Sequence, residues 1–307
     1  MTTPTAPAVI FNPVAHGEKS SDHQTNIRRA FERRGHDVML FETTEEDFGE
    51  GVTAAAIEAE ADLICVSGGD GTLMACITTL AETNIPLAIL PAGTGNLLAI
   101  NFDVPLELEE AVDVALHGER RRIDVGAIDH HRFAIMCGLG FDAAMLRDTN
   151  EKLKARLGPV AYVMGGLRNL HRPATRFSIV LDGKQSFNSA GHAILIANVG
   201  RVQGGLAVHP DADPCDGLLD VAIVDAKGVL QWARVAYRVM FGRHKDDGRL
   251  RFFQVRQIDV RAESPLPFEL DGDVLADRDC LSAKVLEGAL VLCVPAADVS
   301  ASATEER

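Results

Sequence analysis

Two stretches of this chain carry the residue types from which phosphate chemistry is built. In LICVSGGDGTLMACITTLAE, residues 63–82, an apolar strand runs into Gly68-Gly69-Asp70-Gly71-Thr72 and a helical pattern begins at once. Glycine lets a backbone approach a ligand closely. Amides at a helix start carry partial positive charge and point outward, which favours phosphate. A carboxylate repels a bare phosphate, so Asp70 fits there if a magnesium ion or a ribose hydroxyl stands between them. Taken alone, this loop also reads as a tight strand-to-helix turn with Asp as its cap. The second stretch, ILPAGTGNLLAIN, residues 89–101, repeats the arrangement, because Pro91-Ala92-Gly93-Thr94-Gly95-Asn96 leaves a strand and opens a helix. A third strand end, VIFNPVAHG, offers Asn12 at the same edge. Ligands of a parallel sheet sit beyond the carboxyl ends of its strands, so two neighbouring loops of this kind form a two-sided cradle for a nucleotide.

Two lookalikes are set aside. AHGEKSS brings Gly, Lys and Ser together without the GxxxxGK[ST] spacing of a P-loop. CGLGFDAA matches GxGxxA at Gly138, Gly140 and Ala143, but the acidic residue that a dinucleotide fold wants about 20 positions on is missing. The ten histidines form no ligand cluster and receive no chemistry.

The elements that must hold these loops alternate in the first third of the chain. AVIFNP, DVMLFE, DLICVS and IPLAILP read as strands; TNIRRAFERRG, GVTAAAIEAEA, GTLMACITTLAE, TGNLLAI and LELEEAVDVALHGE read as helices. That alternation predicts βαβ units and a mostly parallel sheet. After about residue 122, RFAIMCGLG, TRFSIVLDG, GHAILIAN, LLDVAIVD, LRFFQVRQIDVRAE, LPFELDGD and ALVLCVP read as strands, many alternating polar with apolar, as antiparallel sheet does. Helical interruptions stand near residues 150–171 and 228–244. The expected organisation is an α/β domain over residues 8–125, rejoined by a C-terminal segment at about 286–299, and a β-rich antiparallel domain over 126–285.

Bulk properties narrow the partners. With 30 Lys and Arg against 44 Asp and Glu the formal charge is −14, which weighs against nucleic acid as the main partner. Apolar runs fall far short of the roughly 20 residues of a membrane-spanning helix, and MTTPTAPAVIFNP lacks the pattern of a signal peptide. Six cysteines are scattered with no CxxC pair, so a reducing cytoplasm is expected.

The ordered set GGDGTL, PAGTGN, GRVQGGLAVHPDADPCDGLLDVAIV and FELDGD resembles the diacylglycerol kinase-like lipid kinases, in their bacterial soluble branch related to sphingosine and ceramide kinases. The resemblance spans about residues 8–295. NAD kinases and phosphofructokinases carry loops similar to GGDGT; DGLLDV and LDGD, with their spacing, favour lipid kinases. The resemblance implies an ATP cradle of Asn12, Pro13, Gly69, Asp70, Gly71, Thr72, Thr94 and Asn96, with Thr43 favoured over Thr44 as a further threonine near the nucleotide. It implies that Asp70 helps hold a catalytic Mg²⁺, with Asp124 in the surrounding acidic network. A structural Mg²⁺ is implied on the Asp216 side chain and the carbonyls of Leu219 and Val221. It places the catalytic base at Asp273. Asp70 and Asp273 lie 203 positions apart, so an active site in a cleft between the two domains is expected.

Two positions depart from the family. Asp273 stands where the family usually has Glu, which shortens its reach by roughly 1.5 Å while the reference pKa values differ by only about 0.4. Leu97 stands where the family often has Asp, so one contributor to the magnesium network is missing. The implied reaction is phosphoryl transfer from ATP to a lipid hydroxyl, with diacylglycerol giving phosphatidic acid for phospholipid biosynthesis. Sphingoid bases, other glycerolipids, NAD as acceptor, and an inactive nucleotide-binding or lipid-binding pseudokinase are the alternatives. The lipid places the expected partner at a membrane surface, with peripheral association at the inner face, and a homodimer fits the family. The segments at 152–172 and 228–245, the latter with Trp232, Arg234 and Arg238, read either as amphipathic helices on an anionic bilayer or as helices packed on the second domain.

Overall fold

The computed structural model of the 307-residue chain describes residues 4–15, 20–93, 95–140, 174–202, 206–207, 212–225, 250–271 and 273–296. Thr94, Ala143, Gly272, both amphipathic segments and much of the GRVQGGLAVHPDAD stretch lie outside these residues. The chain divides into two compact units, one of residues 1–122 with 290–307, the other of residues 123–289.

The first unit alternates strand and helix, as its sequence pattern predicts. The strands are β1 (Pro7–Phe11), β2 (Met39–Glu42), β3 (Leu63–Ser67) and β4 (Leu87–Ile89). The helices are α1 (Ser20–Glu32), α2 (Glu50–Glu58), α3 (Asp70–Leu80), α4 (Leu97–Asn101) and α5 (Leu108–His117). β2, β1, β3 and β4 pair in that order and all in parallel. Every residue of β1, β3 and β4 is buried, the signature of a parallel sheet covered on both faces. α1 buries Ile27, Ala30 and Phe31 at helical spacing. It stops where Gly35 takes φ +81°, with His36 N donating to Phe31 O at 3.1 Å and Gly35 N to Glu32 O at 2.9 Å, the Schellman arrangement that glycine permits.

The second unit is antiparallel. β7 (Met136–Leu139), β10 (Ala193–Ala197), β13 (Leu219–Val224), β14 (Leu250–Val255), β15 (Gln257–Leu270) and the first part of β16 (Asp273–Val294) follow the spatial order β14-β13-β10-β7-β15-β16. The hairpin of β8 (Thr175–Leu181) and β9 (Gln185–Gly191) adds to β15, and β5 (Glu119–Ile128) pairs with β6 (His131–Phe133). A two-residue pair, β11 (Arg201–Val202) with β12 (Leu206–Ala207), completes the described strands. The far end of β16 belongs to the first unit, where Leu292 pairs in parallel with Leu87.

Two sequence expectations need correction here. LRFFQVRQIDVRAE is not one strand but the whole of β14 and the start of β15. The chain breaks at Arg256, whose amide donates to Asp182 Oδ1 at 2.8 Å, as does Gln257 N at 2.9 Å, and this capture turns the corner. RFAIMCGLG is likewise divided between β6 and β7 at Ala134 and Ile135, whose amides go to a side chain instead of a ladder. The GxGxxA lookalike has a packing explanation. A side chain at Gly138 would press on Leu195 at 3.1 Å, and a Cβ on Gly140, where φ is +83°, would fall 2.5 Å from His192 O.

Gly126 in β5 lies opposite Phe133, and a Cβ there would fall 2.0 Å from that buried ring. Gly126→Ala should therefore destabilise the protein by about 1–3 kcal/mol through overpacking, measured by denaturant unfolding; an unchanged midpoint would refute the packing argument.

Candidate functional site

Parallel pairing brings the carboxyl ends of β1, β2, β3 and β4 to one edge of their sheet. Asn12 follows β1, Thr43 follows β2, Gly68 to Asp70 follow β3, and Leu90 to Asn96 follow β4. Backbone bonds tie the ends together: Asn12 N donates to Ser67 O at 2.9 Å, and Thr43 N to Phe11 O at 2.9 Å. Asn12 Nδ2 donates to Thr72 Oγ1 at 2.8 Å, while Asn12 Oδ1 accepts from Val14 N at 2.9 Å and shapes the turn that contains Pro13. Thr43 and Thr72 are buried.

The two glycine loops are locked to each other. Leu97 N donates to Asp70 Oδ1 at 3.0 Å. Asn96 takes the left-handed region at φ 46° and closes its own loop, accepting from Gly93 N at 3.1 Å and donating to Gly93 O at 2.8 Å. A Cβ at Gly93 would stand 3.0 Å from Gly69 Cα, so this glycine is needed for backbone contact between the loops. Gly68 is equally constrained, since its Cβ would meet the Thr72 side chain at 2.9 Å.

Gly69 is different. Its backbone (φ −83°, ψ 177°) is open to any residue, and a side chain there would meet no atom within 4 Å. Neither conformation nor packing asks for glycine, so the vacant space suits a ligand that approaches the main chain. α3 starts at the next residue with no side chain capping it, which leaves its first-turn amides for an anion. The site therefore fits a nucleotide phosphate.

Sequence reasoning missed His23. Its ring stacks on Phe11 with centroids 6.1 Å apart, and Nε2 lies 3.3 Å from the hydroxyl of buried Ser67, the residue before Gly68. Burial lowers its pKa and favours the neutral ring. The available signal was position, since His23 shares a helix face with Ile27 four residues on.

The remaining predicted residues lie in the second unit. Asp124 is buried, and its two carboxylate oxygens accept from Gly217 N and Gly288 N, both at 2.7 Å. It sits beside the Asp216 turn, where Asp216 Oδ1 accepts from Leu218 N at 2.9 Å. Burial raises the Asp216 carboxyl above its usual range, and Asp213 and Asp124 push it in the same direction. Leu219 lies just past the last β10 pair, Asp220 with Ala197, and Val221 stands within the ladder between Ile196 and Phe253. Among the described residues no three His, Cys, Asp or Glu side chains gather as a metal site; the expected magnesium draws on one carboxylate and two carbonyls. Like charge on Asp213 and Asp124 near Asp216 is what a divalent cation would relieve. Asp273 is the first residue of β16 and pairs with Leu270 across the turn.

Two family profiles match successive parts of the chain. The "Diacylglycerol kinase catalytic domain" profile matches residues 7–128, and the "YegS C-terminal NAD kinase beta sandwich-like domain" profile matches residues 136–294. A diacylglycerol kinase of Bacillus subtilis (strain 168) is 28% identical over 270 residues, covering 86% of this chain and 88% of its own. A Yersinia pestis (strain Pestoides F) protein named "Probable lipid kinase YegS-like" is 31% identical over 222 residues, 70% of this chain and 73% of its own. In fold, the crystal structure of a diacylglycerol kinase from Bacillus anthracis str. Sterne superposes with a TM-score of 0.76 at 23% identity, over 96% of this chain and 98% of that one.

Two measurements test the site. Gly69→Ala should fold with stability within about 1 kcal/mol of the parent, the cost of Ala at an N-cap, yet lose ATP binding in a titration; retained affinity would show that the space over Gly69 is not used. Magnesium without nucleotide should raise the melting temperature at pH 7, and Asp216→Asn should abolish the increment. A raised carboxylate pKa makes ionised Asp216 unfavourable in the folded state above that pKa. The benefit from magnesium should accordingly shrink as pH falls through it and the group protonates.

Proposed function

The chain belongs to the lipid kinase family defined by the diacylglycerol kinase catalytic domain and the YegS-type C-terminal domain, and on that premise we propose that it transfers the γ-phosphate of ATP to the hydroxyl of diacylglycerol, forming phosphatidic acid. The observation that carries the nucleotide half of this reading is the open space over Gly69 beside an uncapped helix start. The choice of acceptor is supported by relatives named diacylglycerol kinase.

In this reading the amides around Gly69, Gly71 and Thr72 receive the ATP phosphates. Asn12, Pro13, Thr43, Thr94 and Asn96 form the rest of the nucleotide cradle. Asp70 would hold a magnesium ion at the phosphates, and Asp216 with the carbonyls of Leu219 and Val221 would hold a second, structural one near Asp124. Bound magnesium supplies neutralisation of the charge on the transferring group. Asp273 orients the lipid hydroxyl and takes its proton as the new bond to phosphorus forms and the bond to ADP breaks. The acceptor lies in a bilayer, so the enzyme works at a membrane surface, on the cytoplasmic side where ATP is supplied. Among the described residues no helix is long and apolar enough to cross a membrane.

The test is label transfer from γ-labelled ATP to diacylglycerol in mixed micelles containing anionic lipid, with sphingosine and NAD as parallel acceptors. Label should appear in phosphatidic acid, and Asp70→Ala and Asp273→Asn should each lower the rate by about 10²–10⁴-fold. Label in sphingosine phosphate or NADP would replace the acceptor and keep the cradle. ATP binding without transfer to any of the three would sink the kinase assignment.

A further inference from the structure

Asp271 occupies the turn between Leu270, the last residue of β15, and Asp273, the first of β16. It is only 6% exposed and holds φ 48°. An Asp-Gly pair makes a two-residue hairpin turn by itself, with the side chain free to face water. Here the carboxylate turns inward instead. Oδ1 accepts from Met136 N at 2.7 Å and Ile135 N at 3.0 Å, and Oδ2 accepts from Ala134 N at 3.2 Å. The Asp271 amide donates back to Met136 O at 2.8 Å. Burial pushes this carboxyl well above its usual range, Glu269 adds to the push, and the three amides oppose it.

The gripped segment is itself fixed from another direction. Asn198 N donates to Ile135 O at 2.9 Å, while Asn198 Nδ2 donates to Ala134 O at 3.1 Å and to Asp124 O at 2.9 Å. One carboxylate thus fastens the turn that presents Asp273 to a segment that the strand core already holds. A shorter base leaves less slack: Asp at position 273 reaches roughly 1.5 Å less far than Glu would, so its productive placement depends more strictly on the turn.

We propose that Asp271 is a positioning residue for phosphoryl transfer, its grip on the amides of residues 134–136 setting the reach of the Asp273 carboxylate toward the acceptor hydroxyl. The proposal rests on the reading of Asp273 as the base. It distinguishes Asp271 from a staple that merely stabilises the fold, because a staple has no reason to act through Asp273.

Asp271→Asn keeps the shape and one acceptor oxygen but presents a donor where Ala134 N needs an acceptor. With labelled ATP and diacylglycerol or sphingosine in mixed micelles, this variant should lose about 10–100-fold in kcat, with the KM for ATP unchanged. Asp271→Asn combined with Asp273→Asn should be no slower than Asp273→Asn alone, since residues acting as one unit are not additive. Parent-like kcat in Asp271→Asn beside a crippled Asp273→Asn would overturn the positioning role and leave the base assignment standing. Losses that multiply in the double variant, or a fall in kcat matched by a fall in melting temperature and ATP affinity, would reduce Asp271 to a staple. An active Asp273→Asn would instead remove the base assignment and this proposal with it. Should the Asn variant fail to fold, Asp271→Glu, which retains the charge and both acceptor oxygens, carries the same comparison.

Discussion

The candidate site of the first unit depends on how two loops from neighbouring strands are held together. The Leu97 amide donates to Asp70 Oδ1 at 3.0 Å, and a Cβ on Gly93 would stand only 3.0 Å from Gly69 Cα. The bond links the two loops through a single oxygen of the Asp70 side chain. It also explains why Leu is compatible with position 97. The contribution there comes from the main chain, so a residue without a carboxylate leaves the link between the loops unchanged. The departure at 97 removes an acidic group and spares the scaffold.

In the second unit, carboxylates are used as acceptors for main-chain amides far away in sequence. Asp124 gathers Gly217 and Gly288, and Asp271 gathers three consecutive amides. An ionised carboxylate in an apolar interior is unfavourable unless such donors surround it. Asp216 stands in contrast. It accepts one amide from its own turn and has Asp213 and Asp124 for neighbours. The same type of side chain thus acts as a clamp where amides converge, and at Asp216 it stands among other carboxylates.

Much of this could be read from the chain. The continuous apolar runs of β1, β3 and β4, the glycine at the end of α1 and the loops after β3 and β4 announce themselves because their causes are local. β9 and the first part of β16 do not. QSFNSAG and DVLADRDCLSAKVLEG are polar along one face, and they are held as strands by their neighbours' ladders. Asp70 and Asn12 were legible as candidates from their loops. His23, Asn198 and Asp271 were not, since what matters about them is contact across 44, 64 and 137 positions respectively. A histidine on an amphipathic helix and an aspartate in an Asp-Gly turn look ordinary until those partners are known.

The length of β16 has a consequence for how the protein is made. The first unit is incomplete without residues 290 onward, which supply the strand beside β4. A ribosome delivers those residues only after the whole of Ile123–Ala289 has emerged. At about 5–20 residues per second, the nascent α/β layer waits on the order of ten seconds or more with the β4 edge uncovered. An open parallel edge of buried, apolar strands is a template for pairing with other chains. Among the described residues, the strand that closes the first unit is thus the last to appear.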